Sequence, residues 1–367
     1  MTNREKIINV LRRGSVDAAP VSIRMDLWHN HAKNHRLLPA EIEGLTCEEV
    51  EDHLGFCRAA RFRNYYSVTS PSCIKSTELV GDDTVTRYVF KHKTLVSIKR
   101  QSTEMRDQGI QSILVEHPIK EAEDYSIMET YYQGAGLVHR EKEFVEFDRK
   151  TGDKGLPMLI LNSCPTHEVI LNFTGYEKFY MDSFDYPDAV RSLIRTMEIF
   201  YKAKLWPAAA MSSAQLILHG NHFSCKMTPM PMFKEFFVPY FTEFCDYMHS
   251  FGKYVAFHSD ADLGELKPLI PEIGFDIADC LATAPLVEER IDDYFNAWNG
   301  KVVCWGGLPS TVFSPEYSVD KYKEYVDELI FKVKGRNDFI FGASDNVMPF
   351  SQWEKLRCLA EKAGTRI

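Results

Sequence analysis

From about residue 157 onward a short apolar run is followed by an amphipathic segment, and the pair recurs to the end of the chain. The runs are 158–161, 215–218, 254–257, 277–281, 302–305 and 339–341. Runs this short read as strands buried on both faces, and their alternation with helical segments predicts parallel βα units. The segments between them carry helix punctuation. Pro187 and Asp188 open one helix with an apolar stripe of Val190, Leu193, Ile194, Met197 and Tyr201. Ser318 caps another, which buries Val319, Tyr322, Val326, Leu329, Ile330 and Val333 and stops at Gly335.

The N-terminal part adds one more unit, a helix over Arg4–Arg12, a stop at Gly14 and a strand Val21-Ser22-Ile23 after Pro20. Seven or eight parallel strands suit an α/β fold closed as a (β/α)8 TIM barrel better than an open sheet. Residues 66–135 break the rule. There Thr77–Val80, Gly81-Asp82-Asp83, Thr84–Phe90 and Leu95–Arg100 alternate in the manner of an antiparallel β-hairpin, which predicts an insertion over one barrel mouth. No repeat or Gly/Ser-rich linker divides the chain, so residues 1–367 read as a single domain.

Charge and cysteine usage narrow the function classes. A formal charge of −9 without a basic block disfavours nucleic acid, which needs clustered cations. Nine cysteines without a C-x-x-C pair fit neither a disulfide framework nor a zinc ribbon, and they suit a reducing compartment. With no signal-length apolar run at Met1–Lys6 and none of bilayer length later, the expectation is a cytoplasmic protein without membrane association, working on a small-molecule substrate. A helical shell of this kind also permits a homodimer.

In such barrels the site lies where the strands end, so polar residues just past each apolar run are the candidates. They include Arg24, Asp26 and Trp28, then His219, Asn221 and His222, then His258 and Asp260, then Gly306 and Gly307, then Asp345 and Asn346. His258 with a carboxylate two residues on can share a cation, form an acid/base pair, or simply cap the next helix. His219-x-x-His222-x-x-Cys225 has zinc-type atoms but also fits an ordinary polar loop. Arg24, directly after a buried strand, calls for an anion, either a substrate carboxylate or an internal acid such as Asp26. Gly306-Gly307 marks close backbone approach, for a ligand or for barrel packing. Cys280 and Cys304 lie inside apolar runs and read as core thiols.

Two stretches carry a resemblance. Arg4-Glu5-Lys6-Ile7 through Ala19-Pro20-Val21, and Gly252-Lys253 through His258-Ser259-Asp260 and Gly274-Phe275-Asp276 to Trp305-Gly306-Gly307 and Phe341-Gly342, resemble the uroporphyrinogen decarboxylase superfamily. The resemblance implies the same barrel and two chemistries. Decarboxylases of that superfamily hold carboxylates with two arginines after the first strand; Arg24 matches the first, and Trp28 stands at the second. Its cobamide-dependent methyltransferases hold zinc on a His-x-Cys pair and a later cysteine. Here His258 matches the histidine, Asp260 takes the first cysteine's place, and the stretch Gly342-Ala343-Ser344-Asp345 lacks the second, with Asp345 as the carboxylate in that stretch.

What the resemblance implies is therefore a methyltransferase with zinc on His258, Asp260 and Asp345, exchanging methyl groups with a corrinoid carried by a separate partner protein. Asp260, His258 and Asp345 would then be catalytic, and Arg24, Asp26, Trp28, His219, Asn221, His222, Gly306, Gly307 and Asn346 would face substrate. A metal-free decarboxylase-like lyase and a non-catalytic small-molecule binder are the alternatives.

Overall fold

The computed structural model describes residues 1–107, 110–220 and 223–365. In chain order its strands are β1 (Arg61–Phe62), β2 (Tyr66–Thr69), β3 (Ile74–Val80), β4 (Asp83–Val89), β5 (Thr94–Arg100), β6 (Ile113–Glu116), β7 (Gly136–His139), β8 (Met158–Ile160), β9 (Leu216–Leu218), β10 (Tyr254–His258), β11 (Ile277–Leu281), β12 (Val303–Leu308) and β13 (Phe339–Ala343). The chain forms two compact units. The first comprises Met1–Arg63, Lys142–Ile160 and Ser213–Ile367; the second comprises Asn64–Glu141 and Leu161–Ser212.

The first unit holds a parallel sheet of seven strands in the order β1-β8-β9-β10-β11-β12-β13. Each apolar run of the sequence overlaps one of its strands, as expected for strands covered on both faces. β1 is an addition, two residues long and headed by an arginine, so no apolar run announced it. The expected strand at Val21–Ile23 is instead a single parallel bridge from Val21 to Phe341. The bridge is made by Phe341 N–H donating to Pro20 O at 2.9 Å and Ser22 N–H donating to Phe341 O at 2.8 Å. On the other side Cys57 N–H donates to Val21 O at 2.7 Å, which links this segment to the chain entering β1.

Side chains of one strand face alternate per residue, and this positions the site. Met158, Leu216, Ala256, Ile277, Val303 and Ile340 form one buried cluster, joined by Ile7, Val10 and Leu11 of the N-terminal helix Asn3–Leu11. Two residues further along β10 and β11 the same face carries His258 and Asp279, which pair in register. Arg61 is in register with Met158 and therefore shares that face. The sheet face thus changes from apolar to ionic toward the strand C-termini.

The helix expected after Ser318 runs Val319–Val333, with the Ser318 hydroxyl accepting from Lys321 N–H at 3.3 Å and Gly335 at φ +77° just past the end.

The second unit replaces the single expected hairpin with two antiparallel sheets. One pairs β2 with β7, and the other is ordered β3-β4-β5-β6. Val80 pairs with Asp83 across Gly81-Asp82, a two-residue turn with Gly81 at φ +62°. The helix Pro187–Phe200 buries Val190, Leu193, Ile194 and Met197, the stripe that its spacing required. No helix among the described residues is long and apolar enough to cross a membrane.

Candidate active site

His258 ends β10 and is almost enclosed, with 12% of its side chain exposed. Its two ring nitrogens face different partners. Nδ1 lies 3.2 Å from Oδ2 of Asp279, while Nε2 lies 3.3 Å from Oδ2 of Asp260 and 3.6 Å from Oδ1 of Asp345. The three carboxylates come from separate segments: β11, the loop after β10 and the loop after β13. Burial alone would depress the imidazolium, but Cys280, Asp260, Asp279 and Asp345 outweigh it and hold His258 well above its ordinary pKa.

Asp279 is fully buried and would be costly unpaired. Arg61 grips it with both terminal nitrogens, Nη1 at 2.8 Å from Oδ2 and Nη2 on Oδ1. Burial pushes the carboxyl up, yet Arg61 and His258 together keep it well below the usual carboxylate range. An ionised Asp279 accepts from Nδ1–H, which fixes the imidazole with Nε2 toward Asp260 and Asp345.

Asp345 has the left-handed φ of +62° that aspartate tolerates, and it is held by Arg24, Nη1 to Oδ1 at 2.5 Å and Nη1 to its backbone oxygen at 3.1 Å. The ion pair left open for Arg24 therefore exists, with Asp345 as the close partner and Asp26 at 3.9 Å. Asp26 also accepts from Asn346 Nδ2 at 2.8 Å, so Arg24, Asp26, Asp345 and Asn346 are one connected group. Cys280, expected to be a core thiol, is buried but faces polar partners. It sits at the register shift of β11 with φ +56°, its Sγ 3.5 Å from Arg61 Nη2 and 3.4 Å from Asp345 O.

Other candidates lie elsewhere. His219 is fully buried with its ring among Tyr240, Phe241 and Phe244, and its Nε2 is 2.9 Å from Tyr240 Oη. Cys225 donates toward Asp262 at 3.6 Å, and Asn221 and His222 lie outside the described residues. Trp28 is buried and stacks on Trp353 with centroids 5.6 Å apart. Gly306 is buried where a Cβ would come within 2.5 Å of Leu281 backbone atoms, and Gly307, at φ +83°, accepts from the Tyr325 hydroxyl at 2.8 Å. For these two positions the packing explanation accounts for the glycine.

Sequence reading missed Arg61 and Asp279. The signal was present in the run Ile277-Ala278-Asp279-Cys280-Leu281, where an acid in a doubly covered strand demands a cation.

A family model described as uroporphyrinogen decarboxylase (URO-D) matches residues 114–365. The chain belongs to the uroporphyrinogen decarboxylase family. A solved structure, a methyltransferase from Methanosarcina mazei, superposes on this family member with a TM-score of 0.59 at 11% identity, covering 99% of this chain and 98% of that one. At that identity the likeness is one of fold. No curated protein matches the sequence.

The residues suit a cation. His258, Asp260 and Asp345 each offer one ligand atom within 4.8 Å of the others. Donors each ~2.0–2.2 Å from a tetrahedral zinc stand roughly 3.3–3.6 Å apart, the separations at which Nε2 meets the two carboxylates.

Proposed function

We propose that this family member is a methyltransferase that moves a methyl group between a small methoxy- or methyl-bearing substrate and a corrinoid on a separate protein, with zinc held by His258, Asp260 and Asp345. We also read the Val21 segment, tied to Phe341 on one side and Cys57 on the other, as the eighth position of a closed (β/α)8 barrel. One observation carries the functional reading: His258 directs Nε2 at two carboxylates from different loops while a buried, arginine-held carboxylate fixes Nδ1.

When bound, zinc would act as a Lewis acid on the oxygen or sulfur next to the methyl group. The chain's own residues supply the rest. Asp279 sets the tautomer of His258, and Arg61 keeps Asp279 ionised and in place. Arg24 holds Asp345 in the loop after β13 and balances its charge, so the loop is set before substrate arrives.

The test is metal analysis of the purified protein together with methylation of cob(I)alamin from methoxylated compounds. Zinc at one per chain with methyl transfer supports the reading, and absence of both removes it. A second reading, a metal-free lyase acting on a carboxylated substrate, is favoured by one observation: His258 Nε2 faces Asp260 and Asp345, which favour the imidazolium and suit it to donate a proton to a carbanion. Turnover that survives a chelator would select it.

A further inference from the structure

We propose that Arg63 takes the carboxylate of the substrate, and that this substrate is a small monocarboxylate. The proposal rests on the reading above for the methyl group, while the carboxylate contact stands with or without a metal. A difference among the cations around one cavity carries it. In the first unit a cavity of about 560 Å³ is walled in part by Arg24, Arg58, Arg61, Arg63 and Lys150. Arg24 is paired with Asp345, Arg58 with Asp52, Arg61 with Asp279 and Lys150 with Glu146. The Arg63 side chain has neither an ion pair nor a hydrogen bond among the described residues, and it is exposed. Partial loss of water and then the like charges of Arg24 and Arg61 hold its pKa below the ordinary guanidinium value, with Asp26 and Asp345 opposing. A planar carboxylate fits the guanidinium fork and would supply the missing counter-charge.

The local chain places Arg63 next to the His258 cluster. Arg61 and Arg63 both line the cavity, while Phe62 between them packs on Phe144 and Phe147 with centroids 5.4 and 5.5 Å away, the alternation expected of extended chain. Arg24 and Arg61 are common to the cavity and the cluster, since each grips a carboxylate that meets His258. A molecule anchored at Arg63 therefore lies against the arginines that set Asp345 and Asp279. The anion site is thus not Arg24, whose charge is already answered inside the protein. The charge of the walls also limits the ligand. Asp26, Glu48 and Glu49 border the same cavity, so a ligand with several anionic groups would be repelled. One carboxylate answers Arg63, and the volume admits a body the size of a substituted benzoate.

The experiment titrates the full chain by calorimetry with methoxyacetate and para-methoxybenzoate, each against its uncharged amide, as purified and again after metal removal. The expected result is that at least one acid binds and that its amide binds about tenfold more weakly or worse, the difference expected of a charge-assisted pair. In R63Q the acid binds no better than the amide, R63K keeps part of the preference, and thermal unfolding of both matches the wild type. Neither acid preferred over its amide in the wild type, or a preference unchanged in R63Q, overturns the role of Arg63 and leaves the methyl-transfer reading standing. A preference that disappears with the metal and persists in R63Q as purified assigns the carboxylate to the metal and also overturns it. A preference that depends on Arg63, without methyl transfer to cob(I)alamin from the acid that binds, upholds the carboxylate site and counts against methyl transfer alone. If R63Q does not fold, R63M replaces it, and the wild-type comparison still overturns the proposal when neither acid is preferred.

Discussion

Arg61 of β1 holds both oxygens of Asp279 of β11, and His258 Nδ1 lies against the same carboxylate. Removing one charge from this buried trio would leave another without its partner. Arg61→Met should therefore cost about 3–5 kcal/mol, because it leaves Asp279 buried without its cation. Arg61→Met combined with Asp279→Leu should cost clearly less than the sum of the single changes. Urea unfolding of the three variants checks this, and additive losses would contradict it.

Asp279→Asn keeps the shape of the side chain but offers His258 Nδ1–H a weaker partner. The proposed role as a positioning residue then predicts a roughly 10–100-fold loss in metal affinity or activity. Because the carboxylates help to hold His258 protonated, the metal-free variant should also show a lower His258 pKa by NMR. A variant that loses activity with the His258 titration unmoved would mean that Asp279 acts through folding alone.

Asp260 and Asp345 differ in what else they do. Asp345 also neutralises Arg24, with its side chain 42% exposed, whereas Asp260 meets His258 Nε2 at 3.3 Å and is 21% exposed. Asp260→Ala should lower zinc content with little change in thermal unfolding. Asp345→Ala should lower both, since it leaves Arg24 largely buried without its close carboxylate. Zinc retained at one per chain in Asp260→Ala would remove that residue from the ligand set.

Much of this arrangement was legible in the chain because it follows from periodicity. The apolar runs locate β8 to β13, and the residues trailing them include His258, Asp260 and Asp345, which do converge. What was not legible depends on pairing between distant segments. β1 is too short to give a pattern, so Arg61 could not be placed beside Asp279. Cys280 read as core because it lies inside an apolar run, and a register shift of this kind carries no glycine to announce it. His219 read as a site residue because a strand end is polar in most barrels, but three aromatic rings from the next helix enclose it.

Gly306 offers a test of packing against ligand contact. A Cβ there would meet Leu281 N and O at 2.5 Å and Leu281 Cβ at 2.7 Å, all in the neighbouring strand, which cannot yield as a flexible side chain would. Gly306→Ala should therefore destabilise by about 1–3 kcal/mol or more. Differential scanning calorimetry should show a clearly lower Tm. An unchanged Tm with weakened substrate binding would assign the glycine to the ligand instead.

Glu51 gives the chain a pH dependence separate from the His258 cluster. It is 5% exposed on the helix Cys47–His53 and accepts from Ala59 N–H at 3.0 Å. Burial pushes its carboxyl up to about 8; the Ala59 hydrogen bond opposes this and Glu48 adds to it. In the unfolded chain the same group ionises near ~4.3. Between those values the folded state keeps the proton that the unfolded state has released, so raising the pH favours unfolding. The contribution of Glu51 is thus intact below about pH 4.3 and declines by up to roughly 1.4 kcal/mol per unit until about pH 8, where it levels off. Glu51→Gln, which cannot ionise, removes this slope. The stability of wild type minus Glu51→Gln, measured by denaturant unfolding from about pH 5 to about pH 9, should fall steadily and then flatten. A difference that is constant across that range would show that Glu51 is ionised in the native protein at neutral pH.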